Sequence, residues 1–261
     1  MKPTTDIEQV KSVARALLMT EVYKTPYSPM VVQHPFTSSG FVATTKDGVM
    51  QLIDITESEE NLQAWQSFMR KQINSTDNAY EIYMMTNKPY SLTFLKYASP
   101  YLSKADFSKI LADAWIRSEN PNCDTNVSKS KLISMFKQAD PHELMLEDEL
   151  RQYEELNDTV TVYRGVTSHN AKNIKALSWT LDREKAEWFA HRFNEDGTVY
   201  EAEIDKQHIL ALFNGRNESE VIVDPKFLMD IRISEELKLS ESIVRRALRT
   251  KTATRQPTHS P

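Results

Sequence analysis

The spacing of apolar positions changes along the chain. From Asp6 to about Thr20, Ile7, Val10, Val13, Ala14, Leu17 and Leu18 recur at the interval of one helical face. Pro26, Pro29 and Pro35 then interrupt the pattern. "FVATTKDGVMQLIDI", Phe41 to Ile55, places strand formers on both sides of Asp47-Gly48 and predicts a β-hairpin. Helical spacing returns from Ser58 to about Ile73, with Leu62, Trp65, Phe68 and Met69 on one side. Most of the stretch from Tyr80 to Leu156 also reads as helix. Ser103 suits the N-cap of "KADFSKILADAWIRSE", and Pro141 suits the start of a helix in "PHELMLEDELRQYEEL".

The pattern changes at Asn157. "DTVTVYRGV" is rich in β-branched and aromatic residues and predicts a strand closed by Gly165. A short strand in "KALSWT" follows, then a helix with Ala186, Phe189, Ala190 and Phe193 on one stripe, read with Trp188 as core. "GTVYEAEI" alternates Tyr200, Ala202 and Ile204 against Val199, Glu201 and Glu203, as a half-buried strand does. "HILALFN", "ESEVIV" and "FLMDIRI" add further strands. The expectation is an α+β protein. Residues 1–156 form a mainly helical region with a hairpin near 41–55, 157–249 a strand-rich core, and 250–261 a basic, disordered tail.

Composition narrows the function classes. The 261 residues, about 40% hydrophobic, suffice for one large or two modest domains. A net charge of −5 supplies no global basic field for nucleic acid. The one cysteine, Cys123, excludes a disulfide framework and a multi-cysteine metal site, and fits a reducing cytoplasm. The first residues lack the apolar core of a signal peptide, and no apolar run approaches the roughly 18 residues of a membrane span. Gly40, Gly48, Gly165, Gly197 and Gly215 lie too far apart for a glycine-rich phosphate loop. No histidine spacing suggests zinc, so no metal is expected.

One detail asks for chemistry. Glu218 and Glu220 open a strand that otherwise reads Val-Ile-Val, and strand alternation would put both carboxylates on one face. Something positive, or a reaction, should meet them there. Two earlier pieces stand in order with this one: Arg164 near the end of "TVTVYRG", and Ser178-Trp179-Thr180 just before a helix.

In this order the pieces resemble the arginine–serine–glutamate class of mono-ADP-ribosyltransferases, which includes many bacterial toxins. "VYRG" stands for the arginine strand, "SWT" for the S-T-S strand and "ESE" for the E-x-E motif. "AEWFAHRF" is similar to the A-x-x-F-A helix that follows the serine strand. The resemblance covers roughly Asn157 to Ile233, and the general layout is similar to bacterial and phage proteins carrying such a domain. The chain departs from the pattern at Trp179, which replaces a small residue. Alternation still directs Ser178 and Thr180 together and turns Trp179 toward the core.

The resemblance implies that NAD is the substrate, held in a cleft between two sheets without a dinucleotide fingerprint and without a metal. It implies that Glu220 stabilises the oxocarbenium-like ribose and that Arg164 grips the diphosphate or the nicotinamide ribose. Ser178 orients Glu220, Thr180 supports the serine strand, Phe189 joins the NAD site, and Glu218 serves the acceptor. Phe213, Arg216 and Glu218 are the acceptor-recognition candidates, with Phe213 equally readable as a buried strand residue. The E-x-E pair points to a protein arginine as acceptor. The basic tail and Arg216 favour nucleic acid, and the net charge argues against it.

The implied partners are NAD, a macromolecular acceptor and a cognate antitoxin, with no membrane. The implied setting is the cytoplasm, as a bacterial or phage-related toxin or defence effector. Delivery by a secretion system or inside a virion competes with that setting. Two other classes stand beside the enzyme: a catalytically inactive relative used for binding, and an interaction protein working through its helical half. That half is expected to pack on the catalytic core, to cover one wall of the cleft or to receive an inhibitor. Within it, Trp115, Arg117 and Glu119 read as helix-surface charges beside a core tryptophan, with reach toward the cleft as the alternative.

Overall fold

The computed structural model describes residues 2–192, 196–215 and 217–234. Helix α1 (Ile7–Leu18) starts where the Asp6 carboxylate accepts from Gln9 N at 3.3 Å, and it buries Val10, Ala14 and Leu18. Strands β1 (Tyr23–Thr25), β2 (Ser28–His34) and β3 (Thr37–Ser39) follow as a small antiparallel sheet. The proline spacing alone suggests only an interruption here. β1 and β3 have three residues each, β2 alternates only at its end where Val32 and His34 are buried, and Pro29 falls where the β1–β2 ladder is irregular.

The predicted hairpin is β4 (Phe41–Lys46) and β5 (Val49–Asp54), paired in register from Phe41↔Asp54 to Lys46↔Val49. Asp47 and Gly48 turn it with φ of 50° and 78°, the left-handed pair that a two-residue hairpin requires. Helices α2 (Glu59–Ser75), α3 (Ala79–Met84), α4 (Ser91–Ala98), α5 (Lys104–Arg117), α6 (Lys129–Gln138), α7 (Pro141–Leu144) and α8 (Glu147–Glu154) complete this half. The Ser58 and Ser103 hydroxyls cap α2 and α5, each accepting a backbone N–H at 3.1 Å.

The segment from Pro141 makes two helices rather than one. The buried Glu149 carboxylate accepts from Leu146 N at 2.8 Å and from Asn214 N, far along the chain, at 2.6 Å. Glu149 thus closes the start of α8 with one oxygen and ties it to the end of β9 with the other.

The second half supplies β6 (Thr159–Val166), β7 (Ser178–Thr180), α9 (Arg183–His191), β8 (Thr198–Asp205), β9 (Ile209–Phe213), β10 (Glu220–Val223) and β11 (Met229–Ile233). The class is α+β. The strands form one six-stranded antiparallel sheet in the order β11-β8-β6-β7-β10-β9, which corrects the expectation of two separate sheets. Its two halves are nevertheless barely joined. β6 and β8 pair from Thr159↔Asp205 to Val166↔Thr198, whereas β6 and β7 pair only at Tyr163↔Thr180.

Strand β6 does not stop at Gly165 but runs through it. A Cβ there would lie 2.2 Å from Ala186 O and 2.6 Å from Ala190 N, so α9 packs its backbone directly on the strand. Phe193 of the predicted stripe and the predicted tail, 250–261, lie outside the described residues.

One hydrophobic core runs through both halves, from Val10 and Leu18 through Ile110, Trp115 and Phe136 to Phe213, Val221 and Ile222. Lys137 Nζ meets the buried Asp224 carboxylate at 2.7 Å across the same boundary. Among the described residues no helix is long and apolar enough to cross a membrane.

Two predictions test this packing. Gly165→Ala forces α9 off the sheet and should cost about 2–3 kcal/mol, read as a lower urea midpoint. The second concerns His34, fully buried, whose Nδ1 accepts from Phe36 N at 3.1 Å while Nε2 lies 3.3 Å from Leu18 O. Burial pushes its imidazole below the ordinary 6.5, against the opposing pull of the Leu18 and Thr20 backbone. The unfolded chain therefore takes up the proton first. The stabilising contribution is full above about pH 6.5 and declines as pH falls from there toward the folded-state value. Unfolding free energy measured from pH 7 to 5 should fall, and His34→Gln should reduce the slope by up to about 1.4 kcal/mol per pH unit.

Candidate active site

A cavity of about 330 Å³ opens where β6 and β7 part, within the range of small-molecule sites. Arg164, Ser178, Thr180, Phe189, Glu218 and Glu220 all line it. These residues come from separate places in the chain, and the sheet order makes them neighbours.

Glu220 is the first residue of β10 and is only 6% exposed. It lies across from Thr180 in the β10–β7 ladder, and Ser178 lies across from Ile222, so the two hydroxyls and the carboxylate share one face. Ser178 Oγ donates to Glu220 Oε1 at 2.5 Å. Trp115 Nε1, from α5, donates to the same oxygen at 3.2 Å. Arg164 Nη1 donates to Ser178 O at 2.5 Å, which ties the arginine strand to the serine strand where their ladder is limited to one pair. Trp179 turns the other way, is 2% exposed, and donates its indole N–H to Ala176 O at 3.1 Å. A large residue is accommodated between the two hydroxyls because its ring is buried in the core.

Glu218 reaches the cavity by a different route from the one that strand alternation predicts. The strand begins at Glu220, and Asn217 and Ser219 have φ of 54° and 44°. Glu218 therefore sits in a turn with left-handed residues on both sides, a costly conformation for non-glycine residues. Thr180 holds this turn: its hydroxyl donates to Glu218 O at 2.6 Å and accepts from Asp182 N at 3.0 Å, and Leu181 N donates to Ser219 O at 3.0 Å. Thr180, 5% exposed, is thereby a clamp on the Glu218 turn as well as part of the cavity wall.

One acceptor candidate falls elsewhere. Phe213 is 2% exposed, sits opposite Glu220 in the β9–β10 ladder and packs 6.4 Å from the Phe136 ring, so it belongs to the core and not to an exposed recognition turn. Arg216 lies outside the described residues.

Other residues join the cavity without having been marked by motif. Trp188 is 62% exposed and meets Phe189 edge-on at 5.0 Å, which corrects the reading of the aromatic stripe as core. Helical spacing contains this signal, since Ala186 and Ala190 face the strand and Trp188 projects roughly opposite to Ala186. Arg192 lines the cavity with its guanidinium 5.2 Å from the Phe189 ring, so the cavity has a second cation beside Arg164. Glu119 to Asn122, after α5, form a wall from the helical half, and Asn122 Oδ1 accepts from Leu177 N at 2.9 Å. Glu119 at the cavity and Trp115 on Glu220 correct the reading of the Trp115–Glu119 cluster as surface charges beside a core tryptophan and match its alternative, reach toward the cleft. Among the described residues no His, Cys, Asp or Glu group is arranged to hold a metal ion.

Comparisons with protein-family models, curated proteins and solved structures give no match to this chain.

The Thr180 clamp is testable by the near-isosteric Thr180→Val. Losing its hydrogen bonds should cost about 1–2 kcal/mol in thermal unfolding. Amide exchange at Leu181, which bonds the same turn, should accelerate relative to β8.

Proposed function

We propose that this protein is a mono-ADP-ribosyltransferase that uses NAD as donor. The observation that carries the reading is Glu220, buried, bonded by Ser178 and lining one cavity with Arg164 and Glu218. The order of these residues along the chain and their roles by resemblance agree with that grouping.

The chemistry follows from the groups present. The bond between ribose C1′ and the nicotinamide nitrogen breaks, and its electron pair returns to the pyridinium ring as neutral nicotinamide leaves. Positive charge develops at C1′, as in glycoside cleavage. A carboxylate at Glu220 stabilises that charge, and its fixed hydrogen bonds remove the need to reorganise during the reaction. The acceptor nucleophile then bonds to C1′, and its proton passes to Glu218. Arg164 and Arg192 are suited to the diphosphate, and Trp188 and Phe189 offer ring faces and edges to the planar bases.

A protein arginine is the acceptor we favour, from the E-x-E pair, with nucleic acid as the competing class. A toxin or defence role under a cognate antitoxin rests on the resemblance alone; the cytoplasmic setting rests on the single cysteine and the lack of a signal-peptide pattern.

The test uses labelled NAD added to a bacterial lysate with the wild-type chain or Glu220→Ala, followed by separation of protein from nucleic acid. Label should enter the protein fraction and fall by roughly 10²–10³-fold with the variant, the scale on which a key electrostatic group acts. NAD affinity should change far less. Variant-sensitive label in nucleic acid would keep the chemistry and replace the acceptor. No label in either fraction, with NAD intact, would overturn the enzyme reading in favour of a binding module.

A further inference from the structure

Trp115 belongs to the last turn of α5, well outside the stretch that resembles a transferase. It is fully buried. A buried indole packs well but must also satisfy its N–H. Here the N–H is directed at Glu220 Oε1, 3.2 Å away, beside the 2.5 Å bond that Ser178 makes to the same oxygen. The Phe136 ring stands edge-on to the indole at 5.2 Å and 80°, and Phe213 packs behind Phe136. These rings restrict the tryptophan to few orientations. A residue needed only for packing would serve as phenylalanine; the N–H is the part that packing does not require.

We infer that Trp115 is a positioning residue for Glu220, so that the helical half completes the active site rather than merely covering it. The inference rests on the transferase reading for its catalytic consequence, but not for the contact itself. A single donor on Oε1 constrains the carboxylate along one direction only. Two donors from different elements, β7 and α5, fix its plane. The orientation of Glu220 then depends on how α5 sits against the sheet. Changes in the helical half can reach the reaction through this bond.

The test uses the full chain with Trp115→Phe, and a second protein carrying benzothienylalanine at position 115, which keeps the bicyclic shape and lacks the N–H. The readout independent of NAD is the infrared carboxylate band assigned to Glu220 by its loss in Glu220→Gln. Both changes at position 115 should shift this band, and an unshifted band in both would overturn the proposal. The kinetic readout is nicotinamide release. The rate constant should fall about tenfold, in keeping with a lost hydrogen bond to a charged group, while NAD affinity stays within about twofold. Equal loss of rate and affinity, with the band unchanged, would mark a packing role and also overturn it. If the wild type leaves NAD intact, the transferase reading fails by itself, and the infrared band alone decides whether Trp115 positions Glu220. If Trp115→Phe does not fold, the isosteric replacement decides.

Discussion

A carboxylate buried at the start of a strand constrains most of this structure. Removing a charged group from water is costly unless hydrogen bonds replace the lost hydration. Glu220 receives a hydroxyl from β7 and an indole N–H from α5. Strand β7 is in turn held by the Arg164 guanidinium on the Ser178 carbonyl. The elements that satisfy Glu220 are therefore the ones that meet at the cavity: β6, β7, β10 and α5. Stability and the candidate chemistry draw on the same few bonds.

The cavity exists because the sheet is continuous but nearly divided. A full β6–β7 ladder would close it, and no ladder would separate the arginine from the serine. A single paired position together with the Arg164 bond keeps the strands close and leaves room between them. Gly165 contributes from the other side, since only a residue without Cβ lets α9 approach β6 and bring Phe189 and Trp188 to the rim. The helical half closes the remaining wall and is anchored by Glu149 on Asn214 and by Lys137 on Asp224. An organisation that looks divisible at 156 from its pattern of elements shares one core and one site.

Legibility in the sequence followed the range of the interactions. The hairpin turn at Asp47-Gly48 and the caps at Ser58 and Ser103 were readable because neighbouring residues decide them. Alternation correctly separated Ser178 and Thr180 from Trp179, but it misdescribed the approach to Glu218, which depends on left-handed residues that a strand pattern does not contain. The β1–β3 sheet is hard to read because β1 and β3 have three residues each and β2 alternates only over its last residues, after Pro29. The break after α7 is hard to read because its cap uses the Glu149 side chain on the Leu146 N–H, without the Ser, Thr, Asp or Asn that usually marks a helix start.

By itself, the sequence determined the α+β order of elements, the strands carrying Arg164, Ser178 and Glu220, and the residue types that line the cavity. Those properties depend on local periodicity and on side-chain chemistry, which a linear chain states directly. Tertiary structure alone decided that six strands join in one sheet, that Phe213 is core while Trp188 is exposed, and that Trp115 bonds Glu220. Each of these depends on which distant surface a residue meets. That choice is made when the two halves bury a common core, and no spacing within either half encodes it.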